Sequence, residues 1–275
     1  MSAPGTRDLV WRVRKAVRRA LSELRLEFVR HRLLRAADGS VVHVAGLRLR
    51  ITDGPNAYMQ YKDEFVRRNY AFTTEREAPV VIDGGANMGM FTLATLRDHP
   101  RARITAFEPD PALIPLLRAN LDQNGASHVT VVNAALGGED AEMGFSPDGQ
   151  AGGMLDKGEG LMRVRVERLS RYLDQEVDFL KLNIEGAELE VVRELRDGGR
   201  IGRVRAMVIE YHGWPTGEQR LGALLSLLDS SGFRYLVHDQ DDQSNPRTKP
   251  PFRAPGAEPW FALVYAWRAN PVAGD

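Results

Sequence analysis

Residues 80–89 read Val-Val-Ile-Asp-Gly-Gly-Ala-Asn-Met-Gly. Three apolar β-formers run into an acid and a glycine-rich turn. Met90-Phe91-Thr92-Leu93-Ala94-Thr95-Leu96 then continues as a helix. This order of elements opens a doubly wound, Rossmann-like fold. A second apolar run, Ile104-Thr105-Ala106-Phe107, ends at Glu108, 19 residues past Gly89. An acid at the tip of the second strand is placed to accept hydrogen bonds from ribose hydroxyls. Together the two features imply an adenosine-containing cofactor.

The turn itself separates the candidate cofactors. In a dinucleotide fingerprint the glycines would be Gly84, position 86 and Gly89, but position 86 is Ala86. The middle glycine lets the backbone approach a pyrophosphate, and a Cβ weakens that reading. No Gly-Lys-Ser/Thr phosphate cradle occurs elsewhere. Read as acid-x-Gly-x-Asn-x-Gly, the turn suits a ligand without phosphates, and S-adenosylmethionine is such a ligand. The expected cofactor set is Asp83, Gly85, Ala86, Asn87 and Gly89 of the turn, Glu108, and Asn133 at the end of the third strand, near the adenine. The plainer alternative is that these glycines only serve a tight strand-to-helix connection.

Outward from the turn, strands are expected at 80–83, 103–107, 129–133, 177–183, 204–210, 233–238 and 260–267. Helices are expected at 89–98, 111–124, 186–196 and 217–231. Such alternation predicts a mostly parallel sheet with right-handed crossovers. Residues 164–169 partly alternate and add an edge strand. Upstream, 41–51 alternate like a hairpin and 61–72 look helical. Val10, Val13, Val17, Leu21, Leu24 and Phe28 recur at helical spacing among ten Arg or Lys and three acids over residues 7–35. This basic amphipathic helix reads as an extension packed on the domain, as a homodimer contact, or as a binder of an anionic surface. The chain thus divides into an N-terminal extension, 1–75, and a cofactor-binding domain, 76–275. Two irregular stretches, 146–160 with five glycines and 239–259, are expected at the substrate face as lids or as disordered loops.

Composition narrows the classes. Apolar content of 43% supports a core, and a formal net charge of zero gives no bulk case for nucleic acid. The absence of cysteine excludes disulfides, thiol catalysis and cysteine-ligated zinc. No apolar run approaches the roughly 18 residues of an integral membrane segment. The N-terminus lacks the apolar region of a secretory signal, so a cytoplasmic location is expected.

Five pieces in order carry a resemblance. They are Ile82-Asp83-Gly84-Gly85-Ala86-Asn87-Met88-Gly89, Phe107-Glu108-Pro109-Asp110-Pro111, Leu116-Leu117-Arg118-Ala119-Asn120, Asp178 through Glu188, and Ile209-Glu210-Tyr211-His212. Over roughly residues 78–240 the chain resembles the FkbM family of S-adenosylmethionine-dependent methyltransferases. The resemblance implies a class I methyltransferase sheet ending in an antiparallel hairpin, with the extension as a lid over the cofactor. It also implies small metabolite acceptors, typically sugar or polyketide hydroxyls, with carboxyl and amide nitrogen as further options. The family usually carries aspartate where this chain has Asn183, which puts in doubt any role there that needs negative charge. No metal site is expected.

Methyl transfer from a sulfonium needs in-line geometry and a dry site. A hydroxyl acceptor also gains from a base. The candidates lie at the tips of strands four and five. His212 is the expected general base, because its ordinary pKa of about 6.5 suits the task. Glu185 would orient the acceptor or share the base role. Lys181, charged within an apolar run, should pair with a carboxylate, and Glu210 on the adjacent strand is the expected partner. The acceptor is expected to be a small molecule or a peptide. Competing readings are an N- or carboxyl-methyltransferase, a nicotinamide-dependent oxidoreductase, and a module that binds the cofactor without turnover.

Overall fold

The computed structural model describes residues 23–146, 154–156, 162–213, 218–239 and 260–268. A helix α1 spans residues 23–34. Then follow β1 (Val41–Val44), β2 (Leu47–Arg50), α2 (Gly54–Tyr61), a short π-helix (Lys62–Arg67), β3 (Val80–Gly84), α3 (Met90–Asp98), β4 (Arg103–Phe107), α4 (Ile114–Gln123) and β5 (Thr130–Val132). The second half holds β6 (Ala135–Gly137), β7 (Ala141–Ser146), β8 (Met154–Asp156), β9 (Met162–Arg168), β10 (Val177–Leu182), α5 (Glu188–Asp197), β11 (Val204–Gly213), α6 (Leu221–Ser230), β12 (Phe233–Asp239) and β13 (Trp260–Arg268).

Seven strands form the central sheet in the order β12-β13-β11-β10-β3-β4-β5. The pairs β3–β4, β4–β5, β3–β10 and β10–β11 are parallel. β13 inserts antiparallel to both β11 and β12. This is the expected class I methyltransferase sheet, with its reversed strand near the C-terminal edge. A parallel sheet sends its active site to the carboxyl ends of its strands, here the segments after Gly84, Phe107, Leu182 and His212.

Strand periodicity divides the core in two. Val80, Ile82, Leu180, Leu182, Met207 and Ile209 meet α5 and α6 through Leu189, Val192, Leu195, Leu224 and Leu228. Val81, Phe179 and Val208 face the other way. They share a cluster with Phe91 and Leu117 of the flanking helices and with Val29, Leu33, Val42, Leu49, Tyr61 and Tyr70 of the extension. Asp83, Lys181, Glu210 and His212 continue this second face, two and four residues beyond its apolar members. The described part of the extension therefore lies over the strand tips that carry the charged residues.

Local chemistry places the extension. Asp53 caps α2 by accepting from Asn56 N at 3.2 Å, and Pro55 stands in its first turn. The helix thus begins at 54, earlier than the expected 61–72, and regular structure ends at Arg68, φ 59°. Asn120 of α4 and Asn124, which caps its C-terminal end, act as a surrogate strand for β2. Asn120 Oδ1 accepts from Arg50 N at 2.7 Å, and its Nδ2 donates to Arg50 O and Met88 O, each at 3.0 Å. Asn124 makes the matching pair with Arg48.

The expected edge strand at 164–169 belongs to something larger, a separate four-stranded sheet in the order β6-β9-β7-β8. Within the first irregular stretch, 154–156 form β8. Its other residues beyond Ser146, nearly all of 239–259, and the helical spacing before residue 23 lie outside the described residues. α5 begins at Glu188 rather than 186 because Glu185 and Gly186 adopt positive φ, 55° and 106°.

Candidate active site

The glycine turn folds back on its own sheet. Gly85 N and Ala86 N both donate to Phe107 O, at 3.1 and 2.8 Å. Asn87 N donates to Glu108 Oε2 at 2.8 Å, and Met88 N to Asn87 Oδ1 at 2.8 Å. Gly89 N donates to Ala86 O at 2.8 Å. Every backbone N–H from 85 to 89 is thus engaged inside the protein, and none is left to cradle a pyrophosphate, which is how dinucleotide turns work. Gly85, at φ +78°, also approaches the tip of β10 so closely that a Cβ would sit 1.9 Å from Asn183 O.

Glu108 closes the far side of the turn. Its Oε1 accepts from Asp110 N at 2.9 Å while Oε2 holds Asn87 N. Each oxygen keeps a second acceptor site for a ligand hydroxyl. Burial pushes its carboxyl up to about 7, against the two backbone donors that pull it down. Relative to an ordinary carboxyl near 4.5, this makes ionised Glu108 a cost to the free protein above pH 7. Hydroxyl donors from a ligand would relieve it. Asn133 is exposed, and its Nδ2 donates to Glu108 O and Pro109 O at 2.9 and 3.0 Å. It braces the loop that carries Glu108.

Asp83 is fully buried, with Oδ1 accepting from Lys181 Nζ at 3.0 Å and Oδ2 from Thr92 Oγ1 at 2.7 Å. Lys181 Nζ also donates to Gly84 O at 3.2 Å and Gly85 O at 2.6 Å. The expected pairing of Lys181 with Glu210 is therefore corrected. The β3–β10 register sets Lys181 directly opposite Asp83, and the lysine ties together the start of the turn. Glu210 is held instead by Tyr70 of the extension, whose hydroxyl donates to Glu210 Oε2.

His212 is 8% exposed and ringed by acids. Its Nε2 lies 3.3 Å from Glu185 Oε2 and 3.7 Å from Glu210 Oε1. Nδ1 lies 3.6 Å from Glu188 Oε1, too far for a hydrogen bond, and has no hydrogen-bond partner. Burial works against the charged ring, but Glu188, Glu185 and Glu210 outweigh it and raise the pKa to about 9. An imidazole protonated at neutral pH has no lone pair to take a proton, so these carboxylates work against the expected base role. A histidine raised from 6.5 to about 9 adds stability that is complete below pH 6.5 and lost as pH rises through 9. The size is on the order of 3 kcal/mol. We expect the His212 ring to titrate near pH 9 by NMR. Urea stability should fall between pH 7 and 10, with that fall largely absent in His212→Gln.

The structure thus gathers Glu185, Glu210 and His212 at the tips of β10 and β11, and Gly85, Ala86, Asn87 and Glu108 at the tips of β3 and β4. Asn183 Oδ1 is buried at the junction with no hydrogen-bond partner. An orphaned acceptor beside the turn fits a ligand with a donor group, such as the ammonium of an amino-acid moiety. Three residues escaped sequence reading. Gln60 Nε2 donates to Asn87 Oδ1 at 3.0 Å and docks α2 on the turn. Tyr70 holds Glu210. Glu64 is buried beside Lys181 and Asp83, and its carboxyl is raised well above the ordinary range, chiefly by burial. No local pattern marks any of them, since each acts across the fold.

A family model described as methyltransferase FkbM domain matches residues 83–235. "Methyltransferase 1" of Beauveria bassiana is 30% identical over 209 residues, which cover 66% of this chain and 82% of that protein. The "31-O-demethyl-FK506 methyltransferase FkbM" of Streptomyces tacrolimicus is 30% identical over 225 residues, covering 67% of this chain and 84% of the relative. A solved structure of a methyltransferase FkbM from Methylobacillus flagellatus KT superposes with a TM-score of 0.49 at 16% identity. It covers 88% of this chain and 58% of that one.

Proposed function

The chain belongs to the FkbM methyltransferase family, and on that premise we propose that it transfers the methyl group of S-adenosylmethionine to a hydroxyl of a sugar, polyketide or other secondary metabolite. The observation that carries the cofactor is the turn whose N–H groups are all engaged internally. It supports a ligand without phosphates and disfavours the nicotinamide reading. The oxygen acceptor is supported by the carboxylates at the tips of β10 and β11 and by the Streptomyces tacrolimicus relative, whose name specifies an O-demethyl substrate.

In this reading Glu108 accepts from the ribose hydroxyls, and Asn183 Oδ1 accepts from the amino-acid part. Gly85, Ala86, Asn87 and Gly89 shape the floor. Asp83 and Lys181 hold that floor in place, and Asn133 steadies Glu108. The extension, residues 1–75, serves as the lid of the domain at 76–275. The bound sulfonium supplies an electrophilic methyl. Glu185 takes the hydroxyl proton as the acceptor oxygen attacks, and His212 keeps Glu185 oriented. Glu210, fixed by Tyr70, faces the same Nε2 nitrogen of the ring as Glu185.

Two outcomes follow. Glu108→Ala should weaken S-adenosylhomocysteine binding by about 1.5–3 kcal/mol, since hydrogen bonds to a charged partner are lost. In the wild type, affinity should fall as pH drops through 7, approaching about tenfold per pH unit where the carboxyl is protonated. Flat affinity from pH 8 to 6 would remove Glu108 from the ribose site. The hydroxyl assignment is tested by methyl transfer from labelled cofactor to panels of hydroxyl, carboxyl and amine acceptors. Product methylated only at nitrogen or carboxylate would overturn it.

A further inference from the structure

The helix α1 is two-faced. Val29 and Leu33 are buried in the core, 5% and 0% exposed, and anchor one side. Leu24 and Phe28 point away from it, 67% and 59% exposed. The sequence continues the spacing of this outer pair upstream through Leu21, Val17, Val13 and Val10. At helical spacing these six positions fall within an arc of about 80°, on the side opposite the anchored face. Leu24 and Phe28 are therefore not on the side of α1 that packs on the domain.

Charge says what covers it. Residues 7–35 hold ten Arg or Lys and three acids, a net +7, which leaves −7 on the remainder of a chain that is neutral overall. Two copies meeting through such helices would bring two strongly positive segments together, which disfavours a dimer contact. Nucleic acid would use the charge but not the apolar stripe. An anionic lipid surface uses both: apolar side chains enter the acyl boundary while arginines reach the headgroups. Arg32 illustrates the arrangement, its guanidinium lying 5.6 Å over the Phe28 ring, an amphipathic pairing suited to an interface. No described helix is long and apolar enough to cross a membrane.

We infer that the N-terminal helix docks this protein on an anionic membrane surface, lying in its plane with Leu24 and Phe28 inserted. The docking would hold the enzyme beside acceptors that partition into the lipid phase. The test is co-sedimentation of the full-length protein with phosphatidylcholine vesicles, with and without about one third phosphatidylglycerol. The expected result is binding only to the anionic vesicles, weakened at least about tenfold in 0.5 M salt. The Leu24→Gln/Phe28→Gln double variant, which keeps the charge, should lose at least about tenfold in vesicle affinity. Its S-adenosylhomocysteine binding and melting temperature should stay unchanged, because both side chains are exposed. Equal partition onto neutral vesicles, no partition, or a double variant that binds as well as wild type would overturn the inference. So would a concentration-dependent dimer, without vesicles, that the same variant abolishes; that result would assign the stripe to a second copy.

Discussion

Replacing Lys181 by methionine is expected to lower the unfolding free energy by about 3–5 kcal/mol. Lys181 is 4% exposed and its ammonium serves Asp83 Oδ1, Gly84 O and Gly85 O together. Methionine fills much of the same volume but leaves the Asp83 carboxylate buried with only Thr92 to compensate it. The net worth of a buried pair is small, because desolvation offsets the attraction. The large loss comes from stranding one partner. Adding Asp83→Asn to Lys181→Met should therefore recover part of the loss, making the double variant less damaged than the two single losses sum to. Urea unfolding of the four proteins gives the coupling. A Lys181→Met protein as stable as wild type would show that the pair does not hold the turn.

The second large effect is expected at Gly85→Ala. A left-handed φ costs an ordinary residue about 1–2 kcal/mol. At Gly85, φ +78°, the new Cβ would also meet the Asn183 carbonyl at 1.9 Å. That atom is backbone and cannot swing aside, so the turn must separate from the tip of β10. The expected loss is about 3 kcal/mol or more, with cofactor binding reduced below detection. Gly125→Ala separates the two causes. Its φ is +74° but nothing lies within 4 Å of the added Cβ, so only the conformational cost of about 1–2 kcal/mol applies. Equal losses at both sites would show that the close approach to the tip of β10 does not matter.

Legibility followed sequence separation. β3 and its turn, β4 followed by Glu108, and the β10–β11 tips were readable because each is a local pattern: an apolar run, a turn residue, an acid at the end. The face shared by Lys181 and Glu210 also followed from strand alternation. Partners were not readable. Lys181 finds Asp83 through the β3–β10 register, 98 positions away, and Tyr70 finds Glu210 140 positions away. The raised pKa of His212 comes from three carboxylates converging from two segments, which the ordinary histidine value does not anticipate. The small sheet was missed because β6 and β8 have three residues each, too few to show a period. At α1 the spacing was readable, whereas which face meets the core depended on the tertiary packing of Val29 and Leu33.

The most direct test of the central claim is calorimetric titration of the purified protein with S-adenosylhomocysteine, with NADH titrated in parallel. The account predicts micromolar binding of S-adenosylhomocysteine, weakened at least about tenfold by Glu108→Ala, and no binding of NADH. Folded protein that binds NADH, or that ignores S-adenosylhomocysteine, would contradict it.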